Sequence, residues 1–582
     1  MKLMIVESPA KAKKIAGYLG AGWRIEACRG HMCDLPEAEL GVDIAKNFQP
    51  TYEILSDKRN LVKKLAKAIQ NAEAVYIATD PDREGEAIAW HILKLADISR
   101  DKPLYRVVFH AITEEAVLDA VLHPRTLAMN LVEAQQTRRI VDRLVGYMAS
   151  PLATKTLGGK FSAGRVQSVC LRLVVERERE IESFVPEQYF TLELKLKKDE
   201  NTFTAKLHQI KGAATTFKIR EPLDKLTSFL NNASFWVGNT ARTIKARHPY
   251  PPFTTASLQQ SASEALGLSP EKTMSLAQML YEQGWITYMR TDGVAVATEA
   301  QAAARDYITR EFGEDYLPTV PPAYTVKTVN SQEAHEAIRP TAIQRTPADD
   351  TGEGAALYAL IWRRFIASQM SPALYTVSGA AIYAGKIVGQ PFPIEFRAQG
   401  RSLLFDGFLK IFQELEDENQ ETKQVLPSLV EKQPLQLVAP RVEEHQTKSP
   451  TRYTEAGLIL ALEQRGIGRP STYANMVKTV KEKNYVKLSQ RQLIPTENGI
   501  RLCDFLTTSF GDVLALDYTS QLEQELDEIA AGKNTRLTVL NKFWDVFHPQ
   551  IVKATESAFA QIKEHIAPKP LMLHTSSHAV QE

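Results

Sequence analysis

AVYIATDPDREGEAIAWHILKLA, residues 74–96, reads as a strand, a polar corner and a helix in succession. Ala74–Thr79 is short, apolar and rich in β-formers, and Asp80 ends it. Pro81 lacks a backbone N–H and stops further pairing, so the helix of 87–96 starts from about Glu84. A second unit of the same kind opens the chain. KLMIV at 2–6 is a strand, Ser8 an N-cap, Pro9 a first helical residue, and Ala10–Leu19 a helix ended by Gly20 and Gly22. Strands alternating with helices predict an α/β domain over residues 1–128.

Beyond it the pattern turns helical. Ile140, Val141, Leu144, Val145 and Met148 share one face of a helix, and GGKFSAGR at 158–165 connects it to the next. Phe190, Leu192, Leu194 and Leu196 alternate strictly, and Asp199-Glu200-Asn201 predicts a hairpin turn. Strands return near 375–411, so a helical insertion at 249–374 interrupts a β-rich arch of 189–248 and 375–449. Residues 129–188 join 450–565 as a helical domain, and 566–582 reads as a flexible tail. Two segments resemble each other: helix, LGLSPEKT, helix, Gly284 and WITY, then helix, RGIGRPST, helix, Asn484 and YVKL. Both read as helix-turn-helix units followed by a strand or wing, a module that commonly lies against DNA.

Composition sets bounds but names no partner. At 582 residues the chain needs several cores. Cys28, Cys33, Cys170 and Cys503 form no C-x-x-C pair, so neither a zinc ribbon nor a disulfide framework is expected. MKLMIVESPAKAKK places its charges after its apolar residues, unlike a signal peptide, and no apolar run approaches a membrane span. A cytoplasmic location follows. Lys plus Arg, 70, against Asp plus Glu, 69, gives +1, so any DNA site must come from local charge.

The chemistry concentrates at two places. Asp80, Asp82, Glu84 and Glu86 crowd the carboxyl end of a strand, where open α/β sheets place ligands. A solvated acidic helix start is the commoner meaning of a bare D-x-D-x-E; the buried strand and the proline favour Mg²⁺. Glu7 should share that edge if the two strands are neighbours, with Lys11 one turn on, suited to proton transfer and phosphate neutralisation. By spacing alone Glu7 is equally a capping or surface residue. Of nineteen tyrosines, Tyr288 stands out in ITYMRTDG, a short extended run after a Gly-ended helix. Arg290, two residues on, falls on the same side and can stabilise a pentacovalent phosphate. In QEAHEAIRPT, His335 and Arg339 are spaced for one helical face, as a phosphate and proton-transfer pair or a satisfied surface pair.

Taken in order, IVESPAKAKKI, GHMCDLP, TDPDREGEAIAWHI, AQQTRRIVDRLVGYMASP, SAGRVQSV, ITYMRTDG, AHEAIRPT and RYTEAGLILALEQRGIGRPSTYA resemble the type IA DNA topoisomerases over nearly the whole chain. The resemblance implies a multidomain α/β plus α+β toroid, an N-terminal Toprim domain with winged-helix-like helical domains and a discontinuous β arch around a hole wide enough for DNA. It implies that Tyr288 forms a 5′-phosphotyrosine link, with Arg290 and His335 supporting the transition state. Glu7 and Lys11 take acid/base and phosphate roles, and Asp80, Asp82 and Glu84, with Glu7, hold Mg²⁺. Arg138, Asp142, Arg165, Arg339, Arg469, Ser471 and Thr472 fall to DNA, single-stranded or negatively supercoiled, bound by a monomer in the bacterial nucleoid. Exchange of one phosphodiester for another needs no ATP, and GGKFS at 158–162 is no phosphate-binding loop. The sequence departs from the family in three places: His110-Ala111 stands where Asn-Glu is usual, Gly293 where serine is usual, and no cysteine-rich zinc ribbon follows 454–565. Gly293 is expected to be tolerated; the missing ribbons bear on processive relaxation.

Met289, where the topoisomerase III branch usually has proline, favours a topoisomerase I-like relaxing enzyme over a decatenase. A Toprim primase or nuclease would share the carboxylates but have no use for Tyr288. An idle DNA-binding relative would not keep Tyr288, Arg290, Glu7 and the acidic triplet together.

Overall fold

The computed structural model describes residues 1–95, 102–214, 216–325, 335–349, 352–413 and 424–566. Residues 567–582 of the expected tail and Gln332–Ala334 of the cluster around His335 lie outside the described residues.

The chain opens on β1 (Lys2–Val6), α1 (Pro9–Leu19), β2 (Trp23–Ala27), α2 (Arg59–Asn71), β3 (Val75–Ile77), α3 (Arg83–Leu95), β4 (Leu104–Arg106) and α4 (Glu114–Leu122). The four strands are parallel, in the order β2-β1-β3-β4. Ser8 caps α1 as expected, its Oγ accepting from Lys11 N at 3.2 Å. The sheet is apolar on both sides, as parallel sheets are. Leu3, Ile5, Val75 and Ile77 pack on α2 and α3, whereas Met4, Val6, Tyr76 and Ala78 face the other way and continue into a second core. From β1 the chain goes to β2 on one side and later to β3 on the other. The crevice between the carboxyl ends of β1 and β3 is therefore a topological switch point, and Glu7 and Asp80 stand on its two banks.

Helices α5 (Met129–Leu157) and α6 (Arg165–Ser183) follow, joined by the expected glycine-bearing connector. Next come β5 (Gln188–Lys198), β6 (Asn201–Ile210), α7 (Glu221–Leu230) and β7 (Ser234–Arg247). The predicted hairpin joins β5 to β6, with Asp199 in the left-handed region at φ 51°. Then α8 (Thr255–Leu266), α9 (Pro270–Glu282), α10 (Thr298–Phe312) and α11 (Ala355–Ser368) intervene before β8 (Ala373–Ile387), β9 (Gln390–Phe405) and β10 (Pro434–Gln446). The arch strands close into a six-stranded barrel, order β6-β9-β8-β7-β10-β5, around Leu192, Leu194, Leu196, Val237, Ile382 and Phe396. Closure leaves no long edge unpaired, which explains how strands so far apart in sequence share one core.

The chain ends in α12 (Glu455–Gln464), α13 (Tyr473–Glu482), β11 (Val486–Ser489), β12 (Gln492–Pro495), α14 (Glu497–Phe510), α15 (Leu516–Ala530) and α16 (Arg536–Ile566). With α5 and α6 these form one core. The two helix-turn-helix units are both present and pack on each other, α8 on α12 and α9 on α13. Gly284 and Asn484 occupy matching left-handed positions, φ 71° and 56°. Only the second unit carries a hairpin wing, β11 with β12. In the first, Thr287 N donates to Arg339 O and Tyr288 N to His110 O, so loops on either side take the place of a partner strand.

His335–Pro340 is extended, which corrects the helical reading of His335 and Arg339. Ala337 N donates to Ala295 O and Ile338 N to Phe253 O, so the backbone is satisfied by neighbouring segments rather than by its own turn. Among the described residues no helix is long and apolar enough to cross a membrane.

Candidate active site

Tyr288 and the acidic loop, 206 residues apart, meet directly: the Tyr288 hydroxyl donates to Asp82 Oδ2 at 2.7 Å. Arg290 NH1 lies 3.6 Å from the same oxygen, so the two side chains share a side as the extended run requires. They meet because Met4, Val6 and Ile15 of the N-terminal unit and Leu276, Tyr281 and Tyr288 of the insertion belong to one apolar cluster. Tyr288 is buried, with its ring 5.3 Å from Tyr281 and 5.9 Å from His335.

The loop is built around Gly85. A Cβ there would stand 2.2 Å from Asp80 O, so only glycine lets the start of α3 fold back on the end of β3. Gly85 N donates to Asp82 Oδ1 at 2.8 Å, and Arg106 props the turn from below, giving hydrogen bonds to Thr79 O and Asp80 O at 2.9 and 2.8 Å. Gly85→Ala is expected to push the start of α3 off Asp80 O, displace the carboxylates and cost roughly 1–3 kcal/mol of stability. Denaturant unfolding checks this; wild-type stability would contradict the close packing.

Glu7 and Asp80 are joined across the switch point, Glu7 Oε1 accepting from Asp80 N at 3.0 Å. Lys11 Nζ is buried in an ion pair with Asp80 Oδ1 and lies 5.0 Å from the Tyr281 ring centre. Burial, then the charges of Asp80 and Asp82, push Glu7 up to about 8, against Lys11 and the Asp80 amide. Lys11 is raised, because Asp80 and Glu7 outweigh its burial. Burial also raises the Glu84 carboxyl, but a hydrogen bond from His31, its charge and that of Arg138, and Gln135 hold it at about 2. His31 Nε2 and Gln135 Nε2 each stand 3.1 Å from Glu84 Oε2. Glu86 is turned away, bound to Arg106, Arg125 and the Ala128 amide.

Burial and Asp82 raise the Tyr288 phenol well above its ordinary value, and Arg290 opposes them. The Arg290 guanidinium is held firmly charged, since Tyr288 and Asp82 outweigh its desolvation. Burial and then His110 lower His335 to about 4, so its imidazole is neutral at pH 7.

The oxygen-rich donor set suits a hard cation, and crowding at Glu7 is the strain such a cation would relieve. Among the described residues, however, no three His, Cys, Asp or Glu side chains stand converged as a ready cage. Lys11 engages Asp80, Tyr288 and Gly85 engage Asp82, and His31 and Gln135 engage Glu84.

The arginines assigned to DNA form a second, buried constellation. Arg165 NH2 reaches Glu523 Oε1 at 2.7 Å and its Nε reaches Asp142 Oδ1 at 3.0 Å. Arg138 NH2 lies 3.8 Å from Glu523 and its Nε 3.8 Å from Asp142. Arg469 pairs with Asp527, and Arg83 NH2 joins the same carboxylate at 2.6 Å. Thr472 Oγ1 accepts from Arg469 N at 2.9 Å and donates to Arg469 O, and beside it Ser471 is half-buried. Arg339 stands apart, paired with Glu336 at 2.6 Å. NH1 of Arg83, Arg138 and Arg165 has no partner among the described residues. Sequence reasoning missed Arg83, His31, Glu523 and Asp527, and read His110 only as a departure from the family pattern. Arg83 and His31 lay inside quoted motifs; Glu523 and Asp527 sit in an ordinary amphipathic helix and carry no local signal.

The sequence profile of a DNA topoisomerase family matches residues 126–541, and that of the Toprim domain matches 2–112. The chain is 42% identical over 568 residues to DNA topoisomerase 1 of Zymomonas mobilis, covering 96% of this chain and 46% of that protein. It thus spans about half the length of the curated relative it matches. Among solved structures it is similar to full-length topoisomerase I from Thermotoga maritima, with a TM-score of 0.82 and 36% identity, over 94% of this chain and 90% of that one.

Proposed function

The chain belongs to the DNA topoisomerase family, and from that premise we propose that it is an ATP-independent type IA topoisomerase relaxing negatively supercoiled DNA. The observation that carries the reading is the 2.7 Å contact between the Tyr288 hydroxyl and the Asp82 carboxylate. A Toprim nuclease or primase has no use for that tyrosine. The domain plan of 1–128, 129–188 with 450–565, 189–248 with 375–449, and 249–374 is part of the same proposal, supported by the helical core common to the second pair of segments and the barrel core common to the third.

In the reaction the Tyr288 oxygen attacks a backbone phosphorus and gives its proton to the Asp82 carboxylate it already hydrogen-bonds, the Tyr–O–P bond forms, the bond to the 3′ oxygen breaks, and the 5′ phosphate stays on the enzyme. Arg290, held charged beside the attacking oxygen, offsets the charge that develops on the phosphate. Glu7, bound to the Asp80 amide across the switch point, relays the Tyr288 proton to the leaving 3′ oxygen and returns it on resealing. Lys11 orients Asp80, and His335 faces the ring of Tyr288 to receive the phosphate. Arg138, Asp142, Arg165, Arg339, Arg469, Ser471 and Thr472 are proposed to hold single-stranded DNA, with Arg83 added to them. Asp80, Asp82 and Glu84, with Glu7 at the rim, would hold Mg²⁺, which would supply charge neutralisation next to the phosphate. A cytoplasmic, nucleoid-bound monomer is the matching setting.

Mg²⁺-dependent, ATP-free relaxation of negatively supercoiled plasmid tests the reading, run beside gapped catenanes. Preference for catenanes would make the enzyme a decatenase; inertness towards both would end the proposal. The raised Glu7 adds a pH prediction. Above about pH 4.3, where an unfolded glutamate loses its proton, the metal-free fold still holds it, so stability is fullest below that value and falls as pH rises to about 8. Mg²⁺ binding at pH 7.5 is then expected to release protons in the wild type and none in Glu7→Gln. Calorimetry in two buffers of different ionisation enthalpy reads the difference, and equal heats in both would remove Glu7 from the site.

A further inference from the structure

We propose that His110 is a positioning residue of the cleavage site, fixing the ring of His335 through a hydrogen bond between their Nδ1 atoms. The two nitrogens are 3.3 Å apart and the rings 5.1 Å apart at 67°. The inference rests on the proposed role of His335 and deepens it.

A hydrogen bond between two ring nitrogens needs one N–H and one lone pair. It therefore forms between neutral imidazoles or with one added proton, never between two imidazoliums. With His110 as donor, His335 is held as the tautomer whose only N–H is at Nε2. The same residue also registers the nucleophile, because His110 O accepts from Tyr288 N at 2.8 Å. One short loop after β4 thus sets the backbone of Tyr288 and the ring of His335 together.

Gly293 supports this from the other side. A Cβ at Gly293 would lie 2.1 Å from His335 O, so the His335 segment seats against the 291–293 turn only because that residue is glycine. Gly293 N is tied to Thr291 Oγ1 at 2.9 Å, which keeps the turn in place. Glycine, expected to be tolerated here in place of the usual serine, leaves room for that contact. The charged and titratable groups facing the pair are Asp82 from the acidic loop, Tyr288, and Glu336, itself paired with Arg339.

The test compares wild type, His110→Ala and His110→Asn, all of which keep the main-chain carbonyl that receives Tyr288 N. In His110→Ala, single-turnover cleavage and resealing of an oligonucleotide are expected to slow on the order of 10²-fold, with the oligonucleotide Kd unchanged within about twofold. His110→Asn, which retains a donor, is expected to recover most of the rate at pH 7.5. Its acid limb should move to higher pH, since the neighbouring imidazole that disfavours a proton on His335 is gone. An unchanged rate and acid limb in His110→Ala would overturn the inference, as would a loss that asparagine does not rescue. Side-chain 15N shifts of His335 test the pairing apart from catalysis. The Nε2–H tautomer should dominate in wild type and give way to a mixture in His110→Ala; identical tautomer ratios would refute the pairing even if the wild type formed no adduct, a result that would separately strike the proposed function.

Discussion

Tyr288→Phe is expected to lower covalent DNA cleavage by about 10⁴-fold or more while leaving DNA binding intact. The substitution removes one oxygen from a buried ring that keeps its edge contact with Tyr281 at 5.3 Å. The lost hydrogen bond to Asp82 costs about 1 kcal/mol, and Asp82 retains the Gly85 amide as a donor. Fold and acidic loop should therefore survive, and the whole effect should fall on the chemical step. Denaturing gels of enzyme mixed with a labelled oligonucleotide read the adduct directly. An adduct at wild-type yield in Tyr288→Phe would hand the reaction to another nucleophile and dismantle the reading of the site. The contact with Asp82 also means that Tyr288 must exchange a carboxylate for a phosphate when DNA enters. Because the tyrosine and the carboxylate belong to different units packed through one apolar cluster, separating those units opens the site.

What was legible in the sequence was local. Ser8-Pro9 before Ala10–Leu19 and the turn at Asp199 each carry their own instructions in residue type, and the structure follows them; the strand read to Thr79 ends earlier, at Ile77, with Asp80 on the loop beyond it. The paired helix-turn-helix units were legible because the same glycine and asparagine punctuation recurs. The misreadings share a cause, which is that distant segments supplied the partners. His335 and Arg339 have helical spacing, yet Ala295 and Phe253 take their backbone hydrogen bonds. The arch was read without its closure, which comes where β6 and β9, from its two halves, meet and make it a barrel. Glu7, Asp80, Asp82, Tyr288 and Arg290 could be named from motifs, but that Lys11 would engage Asp80, or that His110 would reach His335, depends on packing that no local pattern encodes. The near-neutral charge of the chain hid its arginines for the same reason: α15 supplies carboxylates to them.

Those carboxylates lead to the largest expected effect on stability. Glu523 is fully buried, accepts from Arg165 at 2.7 Å and stands 3.8 Å from Arg138, while Arg469 and Arg83 meet Asp527 one turn along α15. Burial works against its charge, but Arg138, Arg165, Arg469 and Arg83 hold its carboxyl far below the usual range. Glu523→Gln keeps the shape and removes the charge, leaving buried guanidiniums with too few counter-ions; breaking one side of such a group costs about 3–5 kcal/mol. Hydrogen exchange of α5, α6 and α15 should show that loss as faster opening of this unit. Since folding depresses the Glu523 pKa, its contribution is present above the unfolded value of about 4.3 and disappears as pH falls through the folded value. The gap between wild type and Glu523→Gln should therefore narrow on acidification below about pH 4. A gap that stays constant would mean that the loss comes from packing. A variant as stable as wild type but unable to bind single-stranded DNA would give Glu523 a different task, arranging the arginines for phosphate rather than holding α15 to α5 and α6.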